Sequence, residues 1–249
     1  LGKPDIRAEI FNNLIPIYND EFAYDDSETI LHHFETFLNY YENSPALSQA
    51  DLITKLKEIQ FIACRSEANP DTRYFAYPHE VYYGNDNLVK YFADQEDIYF
   101  LDKDFYAEFL NDAKSSITNQ FLSELGIAHN PRIEQNNLDD DYSVKERFGL
   151  DSIQISRKYW NDQTITDKSL EGLENAVANI TPELSVLIWD YLIHYAKGLS
   201  LQLFKSKVLG SFIYYPLYGT SKVKTEFDST LASILKNDRW LFEKEGDFY

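Results

Sequence analysis

The sequence lacks the pieces from which nucleotide and nucleophile sites are usually built. Its nine glycines stand apart, none within three residues of another. That excludes the phosphate loop, the dinucleotide fingerprint and the Gly-x-Ser-x-Gly elbow, each of which needs closely spaced glycines. No run of eighteen apolar residues occurs, and Leu1-Gly-Lys-Pro-Asp5 has no apolar signal core, so the expectation is a cytoplasmic chain without a membrane partner. The one cysteine, Cys64, forbids an internal disulfide and lies in the apolar run Phe61-Ile-Ala-Cys64, where an inert buried thiol in a reducing compartment is expected. Methionine is absent, even at position 1, as expected of an excised piece or of a sequence from which residues have been dropped. Basic residues are scarce: 23 against 41 acidic, a net charge of −18, which opposes generic attraction to nucleic-acid phosphates or anionic lipid.

What is present is enough to fold. A hydrophobic fraction of 44% and an aromatic fraction of 16% over 249 residues supply core material for one large or two small domains. A short helix over Ile6 to Ile15 is expected to stop at Pro16. Ser27 precedes a helix whose Ile30, Leu31, Phe34, Phe37, Leu38 and Tyr41 share one face. Ser48-Gln-Ala-Asp51 reads as a capping signal for a helix carrying Leu52, Ile53, Leu56 and Ile59. Phe61 to Cys64 is a candidate buried strand, Asn69-Pro-Asp71 a loop, and Tyr74 to Tyr77 the hairpin partner. A turn at Gly84 to Asn87 leads to a short helix with Leu88, Tyr91 and Phe92 inward, and Ile98 to Leu101 is a third strand. Helices follow over Lys103 to Asp112 and Ser116 to Leu125, the second ending at Gly126.

Beyond Pro131 the polar, acidic run Gln135 to Tyr142 marks a boundary, and Ser143 to Ser169 suggests no element. Leu170, Leu173, Ala176 and Val177 mark a helix, and Thr181-Pro182-Glu183 opens another, which buries Leu184, Leu187, Ile188, Tyr191, Leu192 and Tyr195 and stops near Gly198. Trp189 and His194, at the edges of that stripe, are read as packing residues. Phe212 to Tyr215 reads as a strand, Phe227 to Leu235 as helical, Arg239 to Phe242 as strand-like and Lys244 to Asp247 as a turn.

Candidate chemistry is thin. His32 and His33 have no further ligands at metal spacing. Asp139-Asp140-Asp141 lacks the alternation and glycine of a calcium loop. His79-Glu80 resembles a zincin helix only until the second histidine, which is Tyr83. Pro70-Asp71 with Glu80-Val-Tyr82 lacks the lysine of a restriction-type nuclease core. The expectation is therefore no catalytic residue, no metal and no cofactor. The sharper feature is the window Lys197 to Lys224, with five lysines and no acid, +5 against −23 for the remainder. Lys205, Lys207, Tyr214, Tyr215, Lys222 and Lys224 form a candidate cationic, aromatic partner-binding strand for nucleic acid or an acidic protein; the plain alternative is inward-packed rings and solvated lysines.

Leu52, Leu56 and Phe61-Ile62 recur in spacing as Leu231, Leu235 and Trp240-Leu241, which suggests a repeated module. Phe61-Ile62, Tyr74-Phe75, Pro78-His-Glu-Val81-Tyr82, Leu88, Phe100-Leu-Asp102, Tyr106, Phe121-Leu122, Leu125-Gly-Ile127 and Pro131-Arg132 together resemble the modules that follow the ATPase domain in large sacsin-like proteins. The resemblance covers about half the chain and rests on structural positions. It implies a GHKL-type ATPase elsewhere in the polypeptide, since Asp-x-Gly-x-Gly and a glycine-rich lid are missing here, and a parent among large multidomain bacterial proteins, some acting in defence. The expected architecture is α+β, helix-rich, with small antiparallel sheets or hairpins and a repeated helix-strand-turn-strand module. The divisions are a first module over 1–135, an acidic linker at 136–142, a helical region with an aromatic strand at 143–226, and the start of a second module at 227–249. The expected role is a non-catalytic scaffold whose partners are other domains of the same polypeptide and a further protein; the rival is a metal-dependent hydrolase or nuclease built from scattered carboxylates.

Overall fold

The computed structural model describes residues 5–18, 27–93, 95, 97–111, 114–138, 165–198, 207–208 and 227–242. The fold is α+β, as the sequence suggests. The chain divides into two compact units, Leu1–Asn130 and Pro131–Tyr249.

The first unit begins with a helical segment that does not stop at Pro16. α1 (Ile6–Glu9) passes through a π-helical turn, Ile10–Leu14, into α2 (Ile15–Ile17). Proline has no N–H and its ring collides with the carbonyl four residues back. The wider turn, in which the Ile15 N–H reaches Ile10 O, carries the helix past that obstacle. α3 (Ser27–Asn43) and α4 (Ala46–Leu56) follow. Ser48 does not cap α4, because the helix already begins after Pro45, whose carbonyl accepts the Gln49 N–H at 3.0 Å.

A four-stranded sheet in the order β2-β1-β4-β3 covers the helices. Its strands are β1 (Ile62–Ser66), β2 (Asn69–Ala76), β3 (Val81–Tyr82) and β4 (Tyr99–Leu101). β1 pairs antiparallel with both neighbours, whereas β3 pairs parallel to β4. Asn69-Pro-Asp71, expected as loop, belongs to β2: Ser66 pairs with Asn69 beyond an irregularity that follows Cys64. Pro70 is tolerated because β2 is an edge strand. α5 (Asp86–Tyr91) lies between β3 and β4, and α6 (Ala107–Leu110) and α7 (Ser115–Leu125) close the unit. α6 is shorter than the expected Lys103 to Asp112, because Lys103 to Tyr106 are drawn into turns by Asp102, whose Oδ1 accepts the Phe105 N–H at 3.2 Å. Gly126 ends α7 at φ +106°, the left-handed conformation that favours glycine.

The core is aromatic. Phe34 of α3 meets Tyr106 at 4.5 Å between ring centroids, Phe109 at 5.3 Å and Phe121 at 5.7 Å, in tilted and edge-on arrangements that add to area burial. Alternation along the short strands sends Val81 and Leu101 into this core and Tyr82 and Phe100 to the other face, where Tyr82 packs on Phe92 at 4.8 Å.

In the second unit β5 (Ile133–Leu138) pairs antiparallel with β6 (Ile165–Leu170) over six residues, and β7 (Lys207–Val208) with β8 (Phe227–Asp228). The helices are α8 (Leu173–Ala178), α9 (Pro182–Gly198) and α10 (Thr230–Asn237). The acidic linker thus needs correction: Asn136 to Leu138 continue β5, and the division between units falls at Asn130/Pro131 rather than after Gln135. The polar side chains of Gln135-Asn-Asn hid a strand that is specified by backbone pairing with β6. The helix expected from Phe227 begins only at Thr230, because Ser229 caps it, accepting the Ala232 N–H at 3.2 Å, while Phe227–Asp228 pair with β7. No helix among the described residues is long and apolar enough to cross a membrane.

Candidate functional site

The sheet register brings three distant charges together. Asp102 follows β4 and donates its N–H to Ala63 O on β1 at 3.0 Å, which sets its carboxylate beside Arg65 of β1 and Arg73 of β2. Arg65 Nε donates to Asp102 Oδ2 at 2.9 Å and Arg73 Nε to the same oxygen at 2.7 Å. The carboxylate is buried while both guanidinium groups keep about a third of their surface in water. Burial alone would raise the Asp102 pKa, but hydrogen bonds from Arg73, Arg65 and the Phe105 amide overcome it and hold the pKa below the ordinary carboxylate value. Arg73 also lies over the Phe105 ring at 4.5 Å and reaches Ser27 Oγ at 3.4 Å; Arg65 Nη1 donates to Pro70 O at 3.0 Å. The cluster ties α3, three strands and the Phe105 turn together.

Beneath it, the Tyr106 hydroxyl accepts the Ala63 N–H at 2.9 Å, and burial raises the tyrosine's pKa. Cys64 is pushed up to about 12 by burial, then by the negative charges of Glu80 and Asp102. A thiol held protonated in this way is a poor nucleophile.

Of the histidines and acids that could carry chemistry, some are packed and others face water. His33 is buried, its Nδ1 2.9 Å from the Tyr18 hydroxyl, and His32 is exposed. His79 and Glu80 sit in a 3-10 turn, Pro78–Glu80, where His79 stacks on Tyr77 and Glu80 Oε2 accepts the Tyr77 N–H at 3.0 Å. Asp71 is exposed on β2. Tyr83 stacks on His129 at 4.5 Å with Lys103 Nζ 4.9 Å from the Tyr83 ring centroid, and the His129 pKa is lowered by burial and by Lys103. Among the described residues no group of three or more His, Cys, Asp or Glu is placed to hold a metal ion.

No family model, curated protein or solved structure matches the chain. Of the cationic strand residues, Lys205, Tyr214, Tyr215, Lys222 and Lys224 lie outside the described residues, as does the Asp139-Asp140-Asp141 cluster. Lys207 is described in its backbone alone, in β7 opposite Asp228.

Sequence reasoning missed two features. Asp102 was visible only as the end of Phe100-Leu-Asp102, with no sign of its arginines, because their convergence is a product of sheet register. Trp189, read as packing, is 50% exposed and stacks on the buried Trp240 with centroids 6.2 Å apart and planes at 27°. Its position at the edge of the apolar stripe of α9 was the available signal.

Proposed function

We propose that the chain is a non-catalytic interaction module of a larger, cytoplasmic sacsin-like protein, where it couples a GHKL-type ATPase domain elsewhere in the polypeptide to a protein partner. The observation that carries this reading is how the resemblance residues are used. Phe61-Ile62, Val81-Tyr82 and Phe121-Leu122 are buried, Asp102 gathers Arg65 and Arg73, Tyr106 takes the Ala63 amide, and Gly126 terminates α7. These resemblance residues of the first unit are thus engaged in holding its fold. A module built this way is stiff, and a stiff module can transmit a domain movement to whatever it carries.

The reading frame that encodes the chain is the direct test. An upstream domain with Asp-x-Gly-x-Gly and a glycine-rich lid is the expected result. A frame without one removes the ATPase, and turnover of ester or phosphodiester substrates by the purified chain with magnesium would replace the scaffold with a hydrolase.

A further inference from the structure

In the second unit Val186, Trp189, Leu241 and Phe242 are 58%, 50%, 44% and 39% exposed. Two contacts place them on one surface. Trp189 stacks on Trp240, and the Phe242 N–H donates to Ser185 Oγ at 3.1 Å. Ser185 and Trp189 are one turn apart in α9, so the segment from Trp240 to Phe242 runs beside the face that carries Val186 and Trp189. Trp240 fixes the segment from below, being buried with its Nε1 donating to Leu235 O at 3.0 Å.

The rim has a sign. Glu183 and Asp190 are exposed on α9, and Asp238 and Arg239 on the adjoining segment, three acids against one base, in a chain of net charge −18. An exposed tryptophan on a rigid stacked support is the kind of residue that dominates binding energy. Apolar exposure of this kind, rimmed by charge, marks an interaction surface.

We propose that this face docks an amphipathic helical segment of a partner protein, with apolar anchors over Trp189 and basic residues against Glu183 and Asp190. The inference rests on the interaction-module reading for its purpose, although its geometry stands without the ATPase.

The probe is a Leu/Lys amphipathic helical peptide titrated into the whole chain, with tryptophan fluorescence and calorimetry as readouts. Trp189→Ser and, separately, Val186→Asp should each weaken binding about tenfold, with circular dichroism unchanged. Glu183→Lys combined with Asp190→Lys should weaken it at low salt and transfer preference to a Leu/Glu peptide. Leu47→Ser, at an 84% exposed position in the first unit, should change nothing. Equal affinity for wild type, Trp189→Ser and Val186→Asp overturns the proposal. So does a chain that sediments as a dimer until Trp189 is replaced, since the occupant is then a second copy. These outcomes are independent of the upstream reading frame, so failure here and failure of the ATPase assignment are separable.

Discussion

Replacing Asp102 with asparagine should destabilise the first unit by about 2–4 kcal/mol at neutral pH. Three donors converge on this carboxylate, the Nε atoms of Arg65 and Arg73 and the Phe105 amide, and hydrogen bonds to a charged group are worth about 1.5–3 kcal/mol each. Breaking one partner out of a buried pair costs about 3–5 kcal/mol. The lower figure applies here because both arginines are about a third exposed and can rehydrate. The pH dependence has a definite sign. The folded pKa lies below the unfolded one, so the stabilisation is complete above the unfolded value near 4 and is lost as pH falls through the folded pKa. The gap between wild type and Asp102→Asn should therefore narrow at pH 3.

The chain supplies its own reporter for this measurement. Trp160, Trp189 and Trp240 all belong to the second unit, whereas Cys64 is the single cysteine and is buried in β1 of the first. Labelling of Cys64 across a urea series, with a disulfide reagent that remains active in acid, reads opening of the first unit alone. An Arg73→Gln cycle should show a coupling energy of about 1–3 kcal/mol with Asp102→Asn. A cost below about 1 kcal/mol at pH 7, or the same gap at pH 7 and pH 3, would refute the assignment of Asp102 as a charged clamp.

Tyr106→Phe keeps the ring but orphans the buried Ala63 amide, so a loss of about 1–2 kcal/mol by the same Cys64 assay is expected. The two left-handed glycines of the first unit, Gly84 and Gly126, should separate. Gly126→Ala, at φ +106° with nothing within 4 Å, should cost only the backbone penalty of about 1 kcal/mol, whereas Gly84→Ala, at φ +69° with Phe100 Cβ 3.0 Å from the added methyl, should cost more in the same urea series.

Legibility in the sequence followed the physics of each element. α9 was readable because its apolar period, its Thr181 cap and its proline at the first position agree; the structure has Thr181 Oγ1 accepting the Leu184 N–H at 3.2 Å. α7 was readable because Gly126 ends it. β6 was not, because its buried positions include Asp167, whose carboxylate accepts the Thr230 N–H at 2.8 Å at the start of α10. A strand that buries an acid to cap a distant helix shows no hydrophobic alternation. The Asp102 cluster was hidden for a related reason: Arg65, Arg73 and Asp102 become neighbours only once β1 has found both of its partners.

The recurrence of spacing between the two units supports one last discrimination. In the first unit Leu52, Leu56, Phe61 and Ile62 are all fully buried, with β2 and β4 flanking the strand that carries Ile62. At the corresponding positions Leu231 and Trp240 are buried, Leu235 is half-buried and Leu241 is 44% exposed. The anchors of the helix-to-aromatic turn are kept, and the position that would extend the core faces water instead. If Leu241 serves a docking face, Leu241→Ser should leave the unfolding free energy from tryptophan-reported urea melts within about 0.5 kcal/mol of wild type while weakening capture of the Leu/Lys peptide severalfold. If it is core material, as Ile62 is, the same substitution should cost about 2 kcal/mol or more of stability. A stability loss of that size would return Leu241 to the fold and remove one wall of the proposed surface.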